Sequence, residues 1–337
     1  MKLHIFNPEH DIALAANQSR FTAPHAGRQL RADLGFLPAL WADDGDMVLV
    51  DDVEAALEWV RHVKRYAHDV AFVTPGDLKH ISADMLHDLL IAPWGWDRTI
   101  KEQLLRAAPS LEPVLPSDER LASIRDMSSR RFAAERLLPL LHDANPGVVG
   151  ESRYCATEDE ALRAMQQYGR SVVKSPWSSS GRGVRYVAQP APDNHLLGWM
   201  RGVLRQQGGI MIEPLYNKVY DFGMEFVANA DGTIGYLGLS LFDTRGGAYT
   251  ASICATEADK REMLSRYVDM QLLDSICLQI RQTVAPLMNG VYSGPFGVDM
   301  MAVARSEGEG FWLHPCVELN LRRTMGHVAL ALTPTIH

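Results

Sequence analysis

The sequence predicts an amino-terminal α/β domain with a parallel sheet, followed by a carboxy-terminal part of mixed α+β structure. In the first third of the chain, short apolar runs alternate with amphipathic stretches of helical spacing, which is typical of parallel strands flanked by helices. From residue 145 onward, short strand-like runs are joined by glycine-containing turns, which indicates antiparallel hairpins. Pro109, Pro113 and Pro116 separate the two patterns, so we expect a domain boundary near residue 125.

The first part contains four candidate strands with helices between them. The strands are LHIF (3–6), MVLV (47–50), AFVT (71–74) and LLIA (89–92), and the helices cover 24–42, 52–67 and 76–88. Because ligands bind beyond the carboxyl ends of parallel strands, the loop 7–11 is expected at a ligand-facing edge. Glu9 or His10 in that loop could position a substrate or act as a base. The alternative is an ordinary turn that begins a helix at Asp11.

The second part contains more strands than helices. Helices are predicted from Ser117 to Leu141 with an interruption, and over 158–168, 193–206 and 257–288. Strands are predicted over 171–174, 184–188, 209–214, 223–228, 233–240, 297–303 and 311–321.

Composition restricts the class of protein. The 337 residues are 47% hydrophobic and 22% charged, which excludes a disordered or fibrous chain. The net charge of −8 argues against a nucleic-acid partner. The four cysteines are widely spaced and are expected to be reduced thiols. With no signal-peptide pattern and no membrane-helix pattern, we expect a soluble cytoplasmic protein without a membrane partner, and a homodimer is the base expectation.

The last predicted hairpin carries acidic residues that could face each other. Glu307 to Gly310 is a turn signal, and pairing centred on Gly308 and Glu309 places Asp299 opposite Glu318. Period two then puts Asn320 and Arg322 on the face of Glu318. Facing carboxylates repel each other, whereas oxygen ligands of this kind suit Mg²⁺. The alternative is a hairpin whose acids are only solvated.

Lys174 ends a predicted strand and precedes a Ser/Gly-rich loop. Free backbone N–H groups in such a loop can bind phosphate, and the candidates are Ser179, Ser180, Gly181 and Gly183. The order differs from a P-loop, in which the lysine follows the glycines. The alternative is an ordinary hairpin turn. The run Met211 to Leu215 could present Glu213 and backbone groups to an adenine ring, or it could simply be a strand that ends in a turn.

Taken in order, these features resemble the ATP-grasp superfamily. The order is a basic helix start, a lysine before a Ser/Gly loop, a strand ending in Glu-Pro, then Asp299 and the run Val317 to Arg322. The resemblance covers residues 126–325. It implies an amino-terminal domain over 1–125 and a two-lobed ATP-grasp domain over 126–337, with a lid over about 126–212 and a larger lobe over about 213–337.

The resemblance also implies roles for individual residues. Lys174 would contact the phosphates of ATP, and Arg322 would stabilise phosphate or acyl-phosphate charge. Asp299, Glu318 and Asn320 would bind Mg²⁺. Glu213 and Leu215 would line the adenine pocket, and Asp221 lies in a run that looks like the family's acid-containing strand. The family usually has a further lysine at the helix entering the lid, whereas this chain has Arg130 and Arg131, and Arg131 is the candidate for binding the nucleotide.

The resemblance implies an ATP- and Mg²⁺-dependent ligase. A small-molecule carboxylate would attack the γ-phosphate to give an acyl phosphate, and an amine, or a thiol, would then displace phosphate. Arg245 could pair with a substrate carboxylate, although its Asp-Thr-Arg-Gly-Gly run is equally an ordinary turn. The alternatives are a small-molecule kinase on the same fold and a non-catalytic nucleotide-binding regulatory protein. A requirement for an amine before ADP appears would separate ligase from kinase, and ATP binding without ADP release would indicate the regulatory protein.

Overall fold

The chain forms two compact units in the computed structural model, which describes residues 1–178, 183–189, 192–245 and 248–333. Unit 1 comprises Met1–Arg125 and Arg322–Thr324, and unit 2 comprises Asp126–Leu321 and Met325–His337. The short segment Arg322–Thr324 packs with unit 1, because the backbone N–H of Arg323 donates to the carbonyl of Trp94 at 2.8 Å. The Arg323 guanidinium also lies 4.4 Å from the ring centre of Trp41.

Unit 1 is built on a four-stranded parallel sheet, as the strand–helix alternation predicts. Its strands, in chain order, are β1 Lys2–Ile5, β2 Met47–Leu49, β3 Ala71–Val73 and β4 Leu90–Pro93. Their order across the sheet is β3-β2-β1-β4, and all three pairings are parallel. The strand order therefore reverses beside β1, where open α/β sheets form a crevice at the carboxyl ends of the strands.

The helices of unit 1 are shorter than predicted. They are α1 His10–Ala16, α2 His25–Leu34, α3 Val53–Val63, α4 Ala83–His87 and α5 Arg98–Ala107, with 3₁₀ turns at Leu37–Leu40, Asp77–His80 and Pro109–Val114. The prediction of one helix over 24–42 is wrong, because the chain leaves α2 at Gly35 and turns again through Pro38. The sequence reasoning missed α5, which begins where the Asp97 carboxylate accepts the N–H of Ile100 at 2.9 Å.

Unit 2 contains two antiparallel sheets. The four-stranded sheet has the order β5-β8-β6-β7, formed by β5 Arg153–Cys155, β6 Ser171–Lys174, β7 Val184–Val187 and β8 Ile210–Pro214. The five-stranded sheet has the order β11-β10-β9-β12-β13, formed by β9 Lys218–Ala228, β10 Ile234–Arg245, β11 Ala248–Ser252, β12 Gly294–Ala304 and β13 Phe311–Asn320. The mixed α+β prediction is thus confirmed.

The helices of unit 2 cover these sheets and supply much of the core. They are α6 Asp118–Met127 (which begins in unit 1), α7 Arg130–Phe132, α8 Leu138–Asp143, α9 Glu158–Tyr168, α10 Asn194–Gln207, α11 Glu257–Leu264, α12 Met270–Met288 and α13 Met325–Ala331. A π-helical turn, Ala133–Leu137, joins α7 to α8. The single helix predicted over 257–288 is two helices, because Asp269 caps a new start by accepting the N–H groups of Gln271 and Leu272.

The five-stranded sheet is held by a tightly packed aromatic core. Phe222, Phe226 and Phe296 are fully buried, and the rings of Phe226 and Phe296 stack with 5.1 Å between their centres. Fully buried aromatic side chains of this size each contribute about 1.5–3 kcal/mol of burial free energy, so this face stabilises β9 and β12, while alternate residues of both strands lie on the other face. Within the described residues, no helix has the length and apolar character needed to cross a membrane.

Candidate functional site

The β12–β13 hairpin brings two carboxylates opposite each other. Asp299 pairs with Glu318 in the register of the antiparallel strands, which confirms the predicted pair. The turn itself differs from the prediction, because Ala304 pairs with Phe311 and Met301 with His314. A bulge between Asp299 and Met301 then restores the expected pair. Pro315 lies in the bulged stretch, where the N–H that proline lacks is not needed by the ladder.

Around this pair the site is rich in oxygen atoms. The amide of Asn320 donates to Oδ2 of Asp299 at 3.1 Å. Gly223 of β9 pairs with Asp299 on the other side, and a Cβ at Gly223 would lie 3.4 Å from Oδ1 of Asp299 and 3.8 Å from Oε1 of Glu225. Burial raises the pKa of the neighbouring Cys316 thiol, and the charges of Asp299 and Glu318 raise it further. Asp299 and Glu318 therefore contribute negative charge close to Cys316.

Arg130 connects this acidic pair to the strand that carries Lys174. Its side chain is buried, and Nη2 donates to Oε2 of Glu318 at 2.9 Å. Nη1 donates to the carbonyl of Ser175 at 2.8 Å and to the hydroxyl of Ser178 at 2.7 Å. Ser129 fixes the start of α7 by accepting the N–H of Phe132 at 3.2 Å. The guanidinium of Arg130 therefore connects Glu318, a predicted metal ligand, to the loop that follows Lys174.

Lys174 and Glu213 form a buried ion pair. The Nζ of Lys174 lies 2.5 Å from Oε2 of Glu213, and both side chains are more than nine-tenths buried. The hydroxyl of Ser152 donates to Oε1 of Glu213 at 3.0 Å. Neighbouring strands β6 and β8 hold the two residues together, since Lys174 pairs with Met211 and Val172 with Glu213. Breaking a buried pair of this kind by removing one partner is costly, at about 3–5 kcal/mol.

The predicted metal ligands fit a hard divalent cation by their chemistry. Asp299, Glu318 and Asn320 offer two carboxylates and one amide oxygen, which are ligands that Mg²⁺ prefers. Among the described residues, no group of three His, Cys, Asp or Glu side chains could by itself hold a metal ion. A cation at Asp299 and Glu318 would therefore complete its shell with water and ligand phosphates, as Mg²⁺ commonly does.

Comparisons with known proteins bear on the fold. Neither a protein-family model nor a curated protein matches this sequence. N5-carboxyaminoimidazole synthetase from Staphylococcus aureus, complexed with ADP, is 12% identical with a TM-score of 0.47, over 95% of this chain and 70% of that one. Biotin carboxylase from Campylobacter jejuni, an ATP-grasp enzyme solved as a β-γ-ATP complex, is 13% identical with a TM-score of 0.51, over 98% of this chain and 67% of that one. The chain has the ATP-grasp fold.

The remaining residues assigned from the ATP-grasp resemblance lie in varied surroundings. Arg131 is half-exposed and pairs with Glu135 at 3.0 Å, and its guanidinium lies 4.2 Å from the ring centre of Tyr154. Of the two neighbouring arginines, it is Arg130 that pairs with Glu318. Asp221 pairs with Lys218 and accepts the hydroxyl of Thr244 at 2.8 Å. The roles given to Arg131, Asp221 and the partly buried Leu215 stay predictions.

The loop after Lys174 is described only at its ends. The backbone N–H of Ser175 donates to the carbonyl of Gly183 at 2.8 Å, which closes the hairpin from Lys174 to Val184. Ser179, Ser180 and Gly181 lie outside the described residues, as do Gly246 and Gly247 and the side chain of Arg245. Their proposed phosphate and substrate contacts stay predictions.

Arg322 is placed differently from the expectation. Strand β13 ends at Asn320, so the period-two argument that put Arg322 on the face of Glu318 does not apply to it. Its Nε donates to Oδ1 of Asp11 at 2.8 Å, and both residues belong to unit 1. A role for Arg322 in stabilising phosphate charge stays a prediction.

The loop after β1 is more than a simple turn. His10 and Asp97 are both buried, with 3.0 Å between Nδ1 and Oδ2, and Asn7 donates to the carbonyl of Gly95 at 2.9 Å. The ring of His10 packs so closely on Gly95 that a Cβ there would lie 2.4 Å from it. The loop also begins α1 at His10, one residue before the helix start predicted at Asp11, and the role of Glu9 or His10 in positioning a substrate or acting as a base stays a prediction.

Sequence reasoning assigned no role to Glu225 and set His314 aside. Both lie on strands of the five-stranded sheet and are buried. For Glu225 the signal was available, because it follows Asp221 and Gly223 at period two and so shares their face. Strand parity places His314 on the face of Glu318, in agreement with its pairing with Met301, and it was set aside because four residues along an extended strand are too far for direct metal ligation.

His314 makes the stability of the protein depend on pH. Burial lowers the pKa of His314 to about 4 from 6.5, and neither ring nitrogen has a hydrogen-bond partner among the described residues. The neutral ring is favoured in the folded state, so its contribution is complete above pH 6.5 and is lost as the pH falls toward 4. Between about pH 7 and about pH 5 the expected loss is about 2 kcal/mol.

Denaturant unfolding at both pH values, on the wild type and on His314→Leu, tests this expectation. Leucine has a similar volume and cannot titrate, so the variant's loss of stability should be smaller by about 2 kcal/mol. Equal pH dependence in the two proteins would show that His314 does not titrate as described. Other groups with lowered pKa values, such as the desolvated His4, contribute equally to both proteins.

Proposed function

We propose that this protein is an ATP- and Mg²⁺-dependent ligase that joins a small-molecule carboxylate to an amine through an acyl phosphate. The observation that carries the proposal is the facing pair Asp299 and Glu318, joined through the buried guanidinium of Arg130 to the loop after Lys174. Arg130 compensates the charge of Glu318, and a divalent cation would compensate the further negative charge of the facing pair. The ATP-grasp fold and the β-γ-ATP complex of biotin carboxylase support ATP as the source of phosphoryl groups.

The chain's own residues would act mainly by position and charge. Lys174 and Arg130 would neutralise the charge that develops as the substrate carboxylate attacks the γ-phosphate. Asp299, Glu318 and Asn320 would hold Mg²⁺, which supplies Lewis-acid polarisation of phosphate oxygens when bound. The end of strand β8, at Glu213 and Pro214, would face the adenine ring of ATP. No nucleophilic side chain is needed, because orientation of the two substrates supplies much of the rate.

Finer assignments belong to the same proposal. The lid would cover residues 126–212, the larger lobe 213–337, and the amino-terminal domain 1–125. Substrates would be small molecules, and a cytoplasmic location would give access to ATP. Homodimer formation stays an expectation. A small-molecule kinase is the second candidate, because the same charged residues would serve phosphoryl transfer to a released product.

Calorimetric titration of ATP, with and without Mg²⁺, tests the nucleotide site first. We expect Mg²⁺-dependent binding with a Kd in the range of about 1–100 μM, weakened at least about tenfold by Asp299→Asn. That substitution keeps the volume and the acceptor for Asn320 but removes a charge. Asp231→Asn, in the exposed turn after β9, is the control because it removes an equal charge elsewhere. Absence of binding in every condition would contradict the proposal.

Release of ADP then distinguishes ligase from kinase. The protein is incubated with Mg-ATP and a pool of carboxylates, with or without a pool of amines, and ADP is measured. Turnover that requires an amine supports the ligase. Turnover without an amine, together with a stable phosphorylated product, would replace it by the kinase. Binding of ATP without ADP from any pool would leave a regulatory nucleotide-binding protein.

A further inference from the structure

Both carboxylates of the predicted metal pair are engaged by donors of the chain itself. Nη2 of Arg130 lies 2.9 Å from Oε2 of Glu318, and the amide of Asn320 donates to Oδ2 of Asp299 at 3.1 Å. The two donors differ in charge, because an amide is neutral whereas a guanidinium is always protonated. A divalent cation that binds Glu318 therefore approaches a carboxylate whose charge Arg130 already compensates.

Contacts at both ends of Arg130 hold its guanidinium beside Glu318. The side chain is buried, and Nη1 donates to the carbonyl of Ser175 at 2.8 Å and to the hydroxyl of Ser178 at 2.7 Å. The backbone N–H of Arg130 donates to the carbonyl of Pro176 at 3.0 Å. Since backbone and side chain are both fixed to the same segment, the positive charge stays close to Glu318 when a metal ion arrives.

Glu318, in contrast to Arg130, is open to solvent. Its side chain is 23% exposed, so a small ion can reach the carboxylate. The two facing carboxylates and the guanidinium together leave a single negative charge, and repulsion between Arg130 and a divalent cation opposes binding of the ion in this partly buried place. The phosphates of a nucleotide would add negative charge, and Arg130 would then attract the ligand.

We propose that Arg130 competes with free divalent cations for Glu318, so that Mg²⁺ binds here together with a polyphosphate in preference to binding alone. The guanidinium lowers the affinity for the free ion and raises the affinity for the complex of ion and polyphosphate, which is positive coupling between the two ligands. Arg130 is thus a positioning residue for the metal site. The inference rests on the proposed metal site, but binding of the free ion is measured without ATP and separately from turnover.

Titration of the full chain with Mn²⁺, without nucleotide, tests the competition. Mn²⁺ takes the same oxygen ligands as Mg²⁺, and its unbound fraction is measured by electron paramagnetic resonance. We expect a wild-type Kd of about 1 mM or weaker. Arg130→Gln should bind Mn²⁺ at least about tenfold more tightly, because the competing charge is gone. A calorimetric titration with Mg-ATP should show the opposite, with binding by Arg130→Gln weakened at least about tenfold.

Three further variants locate the effect. Arg130→Lys keeps the charge but not the fork of hydrogen bonds, so its Mn²⁺ affinity should stay within about threefold of the wild type. The double variant Arg130→Gln, Glu318→Gln should lose the gain in Mn²⁺ affinity, because the gain requires the Glu318 carboxylate. Arg136→Gln is the matched control, since it removes an exposed arginine from the adjacent π-helical turn, and it should change either affinity by less than about twofold.

Opposite shifts for Mn²⁺ and Mg-ATP support the inference, because a purely structural defect would weaken both. Mn²⁺ binding by folded Arg130→Gln that is no tighter than that of the wild type would overturn it. A wild-type Kd for free Mn²⁺ below about 10 μM would also overturn it, however the variant folds. Absence of Mg-ATP binding by the wild type would contradict the ligase proposal, and the Mn²⁺ titrations would still decide the competition at Glu318.

Discussion

Glu318→Gln is expected to lower kcat/KM for ATP-dependent turnover by roughly 10³-fold, which corresponds to about 4 kcal/mol of lost transition-state stabilisation. The substituted amide keeps the volume of the side chain and an oxygen for Arg130, which lies 2.9 Å from Glu318. It removes one of the two carboxylates that face each other. The substitution relieves repulsion with Asp299 but leaves the buried guanidinium of Arg130 without its charged partner, so we expect the free energy of unfolding to fall by up to about 3 kcal/mol.

The measurement combines ADP release over a range of Mg²⁺ concentrations with denaturant unfolding. The control is Glu309→Gln in the exposed turn of the same hairpin, which should leave both quantities unchanged. Normal turnover by Glu318→Gln would remove Glu318 from the metal site. Loss of turnover accompanied by unfolding would instead show that the Arg130–Glu318 pair is structural, and Asp299→Asn would then carry the test of the metal site.

Lys174→Met is expected to have the second large effect, on both ATP affinity and stability. Loss of the cation leaves the buried Glu213 carboxylate without the partner now 2.5 Å away, at a cost of about 3–5 kcal/mol. The same loss should weaken ATP binding about 100-fold while changing adenosine binding little, because charge-assisted contacts to phosphate are lost. Calorimetry with ATP and with adenosine, together with denaturant unfolding, measures these effects.

The double variant Lys174→Met, Glu213→Gln separates the two roles of the lysine. It removes both charges of the buried pair, so most of the lost stability should return, while the ATP affinity should stay low. Equal losses for ATP and adenosine in the single variant would count against a phosphate contact. Recovery of ATP affinity in the double variant would show that Lys174 acts only by compensating Glu213.

Local patterns of the sequence determined the elements and the faces of its strands. The apolar runs beginning at Leu3 and Met47 became parallel strands of unit 1, because buried strands and amphipathic helices are encoded within short windows. Short windows of sequence also predicted the position of Lys174 at the end of β6 and the pairing of Asp299 with Glu318. That pair was reached from a turn centred one residue away from the actual one, and the bulge at Pro315 compensated for the difference.

Only the tertiary structure decided which charged groups meet. Arg130 and Arg131 are neighbours in sequence, yet the start of α7 directs Arg130 to Glu318 and leaves Arg131 with Glu135. Arg322 continues the strand pattern in sequence but pairs with Asp11, because β13 has already ended. Lys174 and Glu213 meet through the pairing of β6 with β8. Each of these contacts joins residues brought together by strand order, caps and bulges, which short-range periodicity does not encode.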